Sequence, residues 1–128
     1  MPIVKIFYGK EFDVETVHKI NLAIHVSLKE CFQVPEDDTF QIWIPTNPAF
    51  HFIDENYLLT HGKRNDMFMY IEIFCGPGRS DDQKKQLYEM LALKVERETT
   101  VTKQNLFILL NEVPLQNWSF GEGYAQMI

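Results

Sequence analysis

Pro2 stands directly behind Met1 and leads into the apolar run Ile3-Val4-Lys5-Ile6-Phe7. A small second residue permits removal of Met1, which would leave Pro2 as a free secondary amine at the head of a strand. An α-amino group has a reference pKa of about 7.7 to 8.0, so it exchanges protons near neutral pH with little tuning. Burial would lower that value and favour a base, whereas nearby carboxylates would raise it and favour an acid. Met1 trimming with no chemical consequence is equally compatible with proline in second place, so the weight of Pro2 depends on its companions.

Arg79 is the first companion. It precedes Ser80-Asp81-Asp82-Gln83, an S-x-x-Q capping box that opens a helix, and a helix amino terminus offers unpaired N–H groups and a positive dipole end. Arginine there reads as a carboxylate anchor or as a solvated loop residue. Asp38 lies in Val34-Pro35-Glu36-Asp37-Asp38, ahead of a strand, and read alone it is a turn residue. Trp118 and Phe120, in Asn117-Trp118-Ser119-Phe120-Gly121, read as the wall of an apolar pocket or as core. Taken together, an amine, a carboxylate, an anion anchor and an aromatic wall supply the parts of a proton-transfer site for a small carboxylate. His18, His25, His51 and His61 show no metal-ligand spacing, and no metal is expected. Cys31 and Cys75 are far apart without a C-x-x-C pair and read as free buried thiols, Cys75 at a strand end.

The remaining composition narrows the class. With 128 residues, 45% hydrophobic and 13% aromatic, the chain has the material for one domain with a real core. A net charge of -6 leaves no basic stripe for phosphates, so nucleic acid is excluded as a partner. No run reaches the roughly 18 apolar residues of a membrane span, and none has the form of a signal peptide, so no membrane partner and a cytoplasmic location are expected.

Local patterns position these residues. Residues 3 to 8 form a strand ended by Gly9-Lys10; Asp13 caps a helix whose buried face carries Val17, Ile20, Ile24, Leu28 and Cys31; Phe40 to Ile44 is a strand closed by Pro45. Met67 to Cys75 is a strand that turns through Gly76-Pro77-Gly78 into a helix with Leu87, Met90, Leu91 and Val95 on one face, followed by a strand from Asn105 to Leu110. The two β-α-β units, about 2–45 and 67–114, are offset by roughly 66 residues and joined by segment 46–66, which is expected to hold one or two short strands or turns. Segment 115–128 completes a single domain spanning 1–128. The expected architecture is α+β: one four-stranded sheet, parallel within each unit, with both helices on one face and an apolar opposite face that calls for self-association.

These features resemble the tautomerase superfamily of small β-α-β repeat proteins with an amino-terminal proline. Pro2, the two units, Gly78-Arg79-Ser80 and the Trp118-Ser119-Phe120-Gly121 segment are most similar to the malonate semialdehyde decarboxylase branch. The resemblance implies that Pro2 is the catalytic acid or base, that Asp38 assists the amine or a water, that Arg79 binds substrate carboxylate, and that Trp118 and Phe120 line the pocket. It also implies a homotrimer with sites between subunits and no cofactor. Two departures stand out. The decarboxylase pattern has a second arginine where this chain has Gly76-Pro77-Gly78, and hydratase and dehalogenase relatives have a glutamate where this chain has Ser119. The expected function is therefore keto-enol proton transfer on a 2-oxo acid or related carboxylate by a cofactor-independent tautomerase. A malonate semialdehyde decarboxylase or hydratase and a non-catalytic, cytokine-like binding protein are the rivals.

Overall fold

The computed structural model describes residues 1–128 as one four-stranded sheet with two helices. The chain runs β1 (Ile3–Tyr8), α1 (Val14–Phe32), β2 (Gln41–Pro45), β3 (Met69–Cys75), α2 (Asp81–Glu98) and β4 (Leu106–Glu112). Strand order is β2-β1-β3-β4, with β1 parallel to β2, β3 parallel to β4, and the two units joined antiparallel through β1 and β3. The expected pair of β-α-β units in one sheet is present.

Both helices are set by their ends. The Asp13 carboxylate accepts the Thr16 N–H at 2.7 Å, satisfying an orphan donor of α1, and Gln33 closes that helix in the left-handed region at φ 55°. Ser80 and Gln83 form both halves of the capping box on α2. The helices pack on each other and on one sheet face, burying Ile20, Ile24 and Leu28 of α1 and Leu87, Leu91 and Val95 of α2. Val4, Ile6, Met69, Ile71 and Ile73 meet them from the sheet, at the period of two that a half-buried strand requires. Val17, expected on the buried face, is only half-buried, and Ala23, Ser27 and Phe32 join that face instead.

Three boundaries differ from the sequence reading. β2 starts at Gln41, because Phe40 gives its carbonyl to Val4 N–H from just outside the strand. β3 starts at Met69, because the Asn65 side chain accepts the Met67 N–H at 2.9 Å and the Asn65 carbonyl accepts the Phe68 N–H, which consumes those backbone groups in a turn. β4 starts at Leu106 and runs on to Glu112; Asn105 is buried in the preceding turn, where its side chain accepts the Asn65 N–H at 2.8 Å and donates to Thr102. The 46–66 connection contains a short 3-10 turn at Pro48–Phe50 and no strand. Both cysteines are free and buried, and no helix is long and apolar enough to cross a membrane.

The sheet face away from the helices is partly open, apolar toward both edges and polar at Lys5 and Glu72 in its centre. One cross-strand row is Ile44, Phe7, Tyr70 and Phe107, with Phe7 stacked on Tyr70 at 5.4 Å and Tyr70 edge-on to Phe107 at 5.7 Å. The next row is Ile42, Lys5, Glu72 and Leu109. Ile42, Phe107 and Leu109 are 53%, 50% and 44% exposed, values that a sheet core would not show and that a covering partner would reduce.

Two outcomes follow. Ile71, fully buried at the centre of the sheet, should lose about 2–5 kcal/mol of stability as Ile71→Ala, read by urea denaturation. Light scattering on a sizing column should give a multiple of the 15.1 kDa chain mass at micromolar concentration, and a single-chain mass would contradict self-association.

Candidate active site

The amino terminus enters the sheet at its interior. β1 lies between β2 and β3, so the residues before Ile3 are flanked on both sides. The parallel register pairs Val4 with Gln41, an offset that, continued backwards, sets Met1 level with Asp38. The Met1 ammonium indeed meets the Asp38 carboxylate at 2.6 Å, both groups being largely shielded from solvent. Pro2 is buried beside them. Proline suits the head of an inner strand, where its missing N–H breaks no ladder bond.

The loop bearing Asp38 is fixed from α1. The His25 ring bonds the Glu36 carbonyl at 2.9 Å and lies 3.2 Å from the Thr39 hydroxyl, and Lys29 pairs with Glu36. The Asp38 N–H donates to the Pro35 carbonyl at 3.1 Å, closing the turn that presents the carboxylate. On the opposite side, the Met1 side chain rests on the bare Cα of Gly76: a Cβ there would stand 2.3 Å from Met1 Cε, with Leu115 next nearest among side chains of other residues at 3.6 Å. Met1 thus fills the space between Pro2 and the Gly76-Pro77-Gly78 turn.

A hollow of about 290 Å³ opens at Pro2, lined by Ile3, Phe40, Asn117, Trp118, Ser119 and Phe120 as well. Trp118 and Phe120 stack nearly parallel, with centroids 5.6 Å apart, and Phe40 tilts onto Phe120 at 6.2 Å. Trp118 is hung in place: its Nε1–H donates to the Val113 carbonyl at 3.1 Å, while the Val113 N–H donates to the Cys75 carbonyl at 2.8 Å. A larger groove of about 380 Å³ runs along α2, lined by Gln86, Glu89, Met90, Leu93, Lys94 and Arg97; its charged groups stand on a single helix and none is held in an ion pair as the terminal amine is by Asp38, so volume does not choose the site.

Arg79 is placed differently from the others. Its guanidinium donates to the carbonyls of Gly76 at 3.2 Å and Phe32 at 3.1 Å and lies over the Phe32 ring at 5.1 Å. It thereby satisfies an orphan carbonyl at the end of α1, as Gln83 does for Cys31 at 3.3 Å. Arg79 does not line the hollow at Pro2, although the turn it holds is the one that Met1 touches. The structure therefore brings Pro2, Trp118 and Phe120 into one pocket, sets Asp38 at the Met1 amine next to Pro2, and leaves Arg79 outside that pocket, bonded to the Gly76 carbonyl.

Charge near that turn is balanced. The Glu112 carboxylate accepts the Gly78 N–H at 3.0 Å and pairs with Lys84. Those contacts, Lys84 first, hold the Glu112 carboxyl below its ordinary range, and Glu112 in turn raises Lys84. The Cys75 thiol is pushed up by burial, opposed by the positive charges of Arg79 and the chain terminus, which both reach it. Phe40 and the Glu112–Lys84 pair were not legible as parts of this region. Phe40 follows Asp38 by two residues, the one available signal, whereas the ion pair depends on a helix meeting a strand end.

Comparison with known proteins defines the class. The fold is that of malonate semialdehyde decarboxylase, an enzyme described with decarboxylase and hydratase activities: its crystal structure superposes with a TM-score of 0.88 at 22% identity, covering 98% of this chain and 95% of that one. A fused 4-OT described as a symmetric trimer superposes with a TM-score of 0.78 at 12% identity, covering 98% and 96%. A family model described as tautomerase enzyme matches residues 38–121. The probable tautomerase YusQ of Bacillus subtilis (strain 168) is 36% identical over all 128 residues and 99% of its own length. The chain belongs to the tautomerase family, and its fold is similar to that of malonate semialdehyde decarboxylase.

The Glu112 shift has a pH consequence. A carboxyl depressed in the folded state contributes stability above its unfolded value, about 4.3, and loses it as pH falls through the folded value. Glu112→Gln should therefore lower Tm at neutral pH, with the deficit relative to the parent shrinking steadily below about pH 4. A deficit that stayed constant into acid would assign it to packing instead.

Proposed function

We propose that this chain is a cofactor-independent tautomerase in which Pro2, freed by loss of Met1, transfers a proton between oxygen and carbon of an enol or keto 2-oxo acid. The observation carrying this reading is the Met1–Asp38 pair at the buried head of β1, with Met1 resting on Gly76. A carboxylate already holds an amine there. Removing one residue moves the terminal nitrogen to Pro2, about 3.8 Å along the chain, and vacates the space that the Met1 side chain occupied.

The chemistry then balances within one site. Pro2 nitrogen takes the proton of the enol hydroxyl and delivers a proton to the adjacent carbon, ending as it began. Asp38 orients the amine and stabilises its protonated form. Arg79 takes the substrate carboxylate from outside the hollow at Pro2, across the space that Met1 leaves beside Gly76: two of its five N–H donors serve the carbonyls of Gly76 and Phe32, leaving three for the anion. Trp118 and Phe120 keep water from the reacting atoms, which strengthens every charge interaction inside. A homotrimer, with each open sheet face covered by its neighbours, is the assembly supported by that apolar face and by the trimeric relative. The cytoplasm is the compartment we assign, in keeping with two free thiols.

Decarboxylation of a 3-oxo acid such as malonate semialdehyde is the second reading. Asp38 beside the terminal amine favours it, because a protonated Pro2 can polarise a carbonyl while carbon dioxide leaves; the absence of a second arginine in Gly76-Pro77-Gly78 opposes it. Activity rising with pH through the Pro2 titration marks a base, and activity falling marks an acid. A non-catalytic, cytokine-like protein is the reading that retention of Met1 would favour, since Met1 holds Asp38 and fills the space beside Gly76.

The test is ultraviolet monitoring of phenylenolpyruvate ketonisation on protein whose Met1 removal is verified by intact mass. Pro2→Ala should cost at least ~100-fold in kcat, and Arg79→Ala should raise KM more than it lowers kcat. Equal turnover by parent and Pro2→Ala protein would remove Pro2 from the mechanism.

A further inference from the structure

From the clamp on the Gly76-Pro77-Gly78 turn we infer that Glu112 limits the substrate to a single carboxylate, by occupying the donors that a second carboxylate would use. The inference rests on the proposed site at Pro2 and Arg79, and it concerns which acids that site admits.

The sheet places Glu112 within reach. Ile3 pairs with Phe74, so the same antiparallel register extended by one residue brings Pro2 beside Cys75, and Cys75 pairs with Glu112. Pro2 and Glu112 are therefore about two strand spacings apart, on the order of 10 Å. A four-carbon acid extending from Pro2 over Cys75 would point its far end at Glu112.

The donors at that end are already taken. The Gly78 N–H points to Glu112 Oε2 at 3.0 Å, and the Lys84 ammonium pairs with Oε1. Both are groups that recognise carboxylates: a backbone N–H just ahead of a helix start and a lysine on its first turn. Asp81 and Asp82 add negative charge to the same turn. Once Glu112 has neutralised Lys84, Arg79 is the cation that remains for substrate. A second substrate carboxylate would meet the Glu112 carboxylate rather than a donor, and like charges in a partly desolvated site repel strongly. Exclusion by a built-in anion gives discrimination that attractive contacts alone do not supply.

The experiment compares crotonate with fumarate, which share a four-carbon skeleton and differ by one carboxylate. Parent, Glu112→Gln and Glu112→Ala proteins, each lacking Met1, are titrated with both acids by calorimetry, and both acids are also tested as competitors of phenylenolpyruvate turnover. Glu112→Gln keeps an acceptor for the Gly78 N–H, and a thermal melt confirms that it folds; it decides the matter if the alanine variant does not. The parent should bind crotonate at least tenfold more tightly than fumarate, and Glu112→Gln should narrow that ratio at least tenfold through a gain in fumarate. Equal binding of the two acids by the parent, an unchanged ratio in the variants, or no binding of either acid would overturn the inference. Absence of turnover with a ratio that still shifts would instead count against the proposed reaction and leave the role of Glu112 standing.

Discussion

The arrangement depends on the chain terminus entering the sheet as an inner strand. A terminus on an edge strand or a loop frays, and an amine there samples many positions. Here β1 is bonded to β2 on one side and β3 on the other, and the two registers fix the first residues independently. The parallel register with β2 brings the Asp38 turn level with Met1; the antiparallel register with β3 brings Cys75 and the Gly76 turn to the other flank. A terminal nitrogen has no side-chain rotamers to order, so most of its positioning cost is met when the sheet forms.

The far side of the site is organised by the meeting of two helix ends. The last carbonyls of α1 and the first turn of α2 face each other, and Arg79 and Gln83 bridge them. Arg79 is thus a structural cap, and in the proposed reaction it is an anion anchor as well. The two roles are compatible because a guanidinium presents donors in several directions, where a lysine ammonium could not serve two carbonyls and a carboxylate with the same rigidity. The Glu112–Lys84 pair steadies the turn on its outer side. Charge around the turn is consequently settled before any substrate arrives, with Arg79 left over.

Much of the scaffold was legible because its signals are local. The Asp13 cap, the Ser80–Gln83 box and the apolar spacing of Ile20, Ile24, Leu28, Leu87, Leu91 and Val95 are each decided within a turn or two of chain. The strand starts were less legible, since Asn65 and Asn105 hold each other across forty residues and no propensity announces that bond. Pro2 was visible as chemistry, but the partnership of the chain terminus with Asp38 rests on strand register, which a sequence without its fold cannot give; the family resemblance supplied it. The orientation of Arg79 toward Phe32 and Gly76, and the Glu112 clamp, were invisible for the same reason.

The open face of the sheet carries its own logic. Its centre is polar: Lys5 lies 3.7 Å from Glu72 and over the Phe74 ring, and the Tyr70 hydroxyl donates to Glu72 at 2.8 Å. A surface built only for burial would have apolar residues there, because a charged pair contributes little once desolvation is counted. A pair that is already hydrogen-bonded within its own chain can be covered by a neighbour without leaving a charge unpaired. It also breaks the uniformity of the aromatic and aliphatic rows, so a neighbour sliding along the face by one residue would set apolar side chains against Lys5 and Glu72. Terminus and open face are joined through β1: its backbone carries the terminus between β2 and β3, while Val4 and Ile6 face the helices and Lys5 and Phe7 face outward.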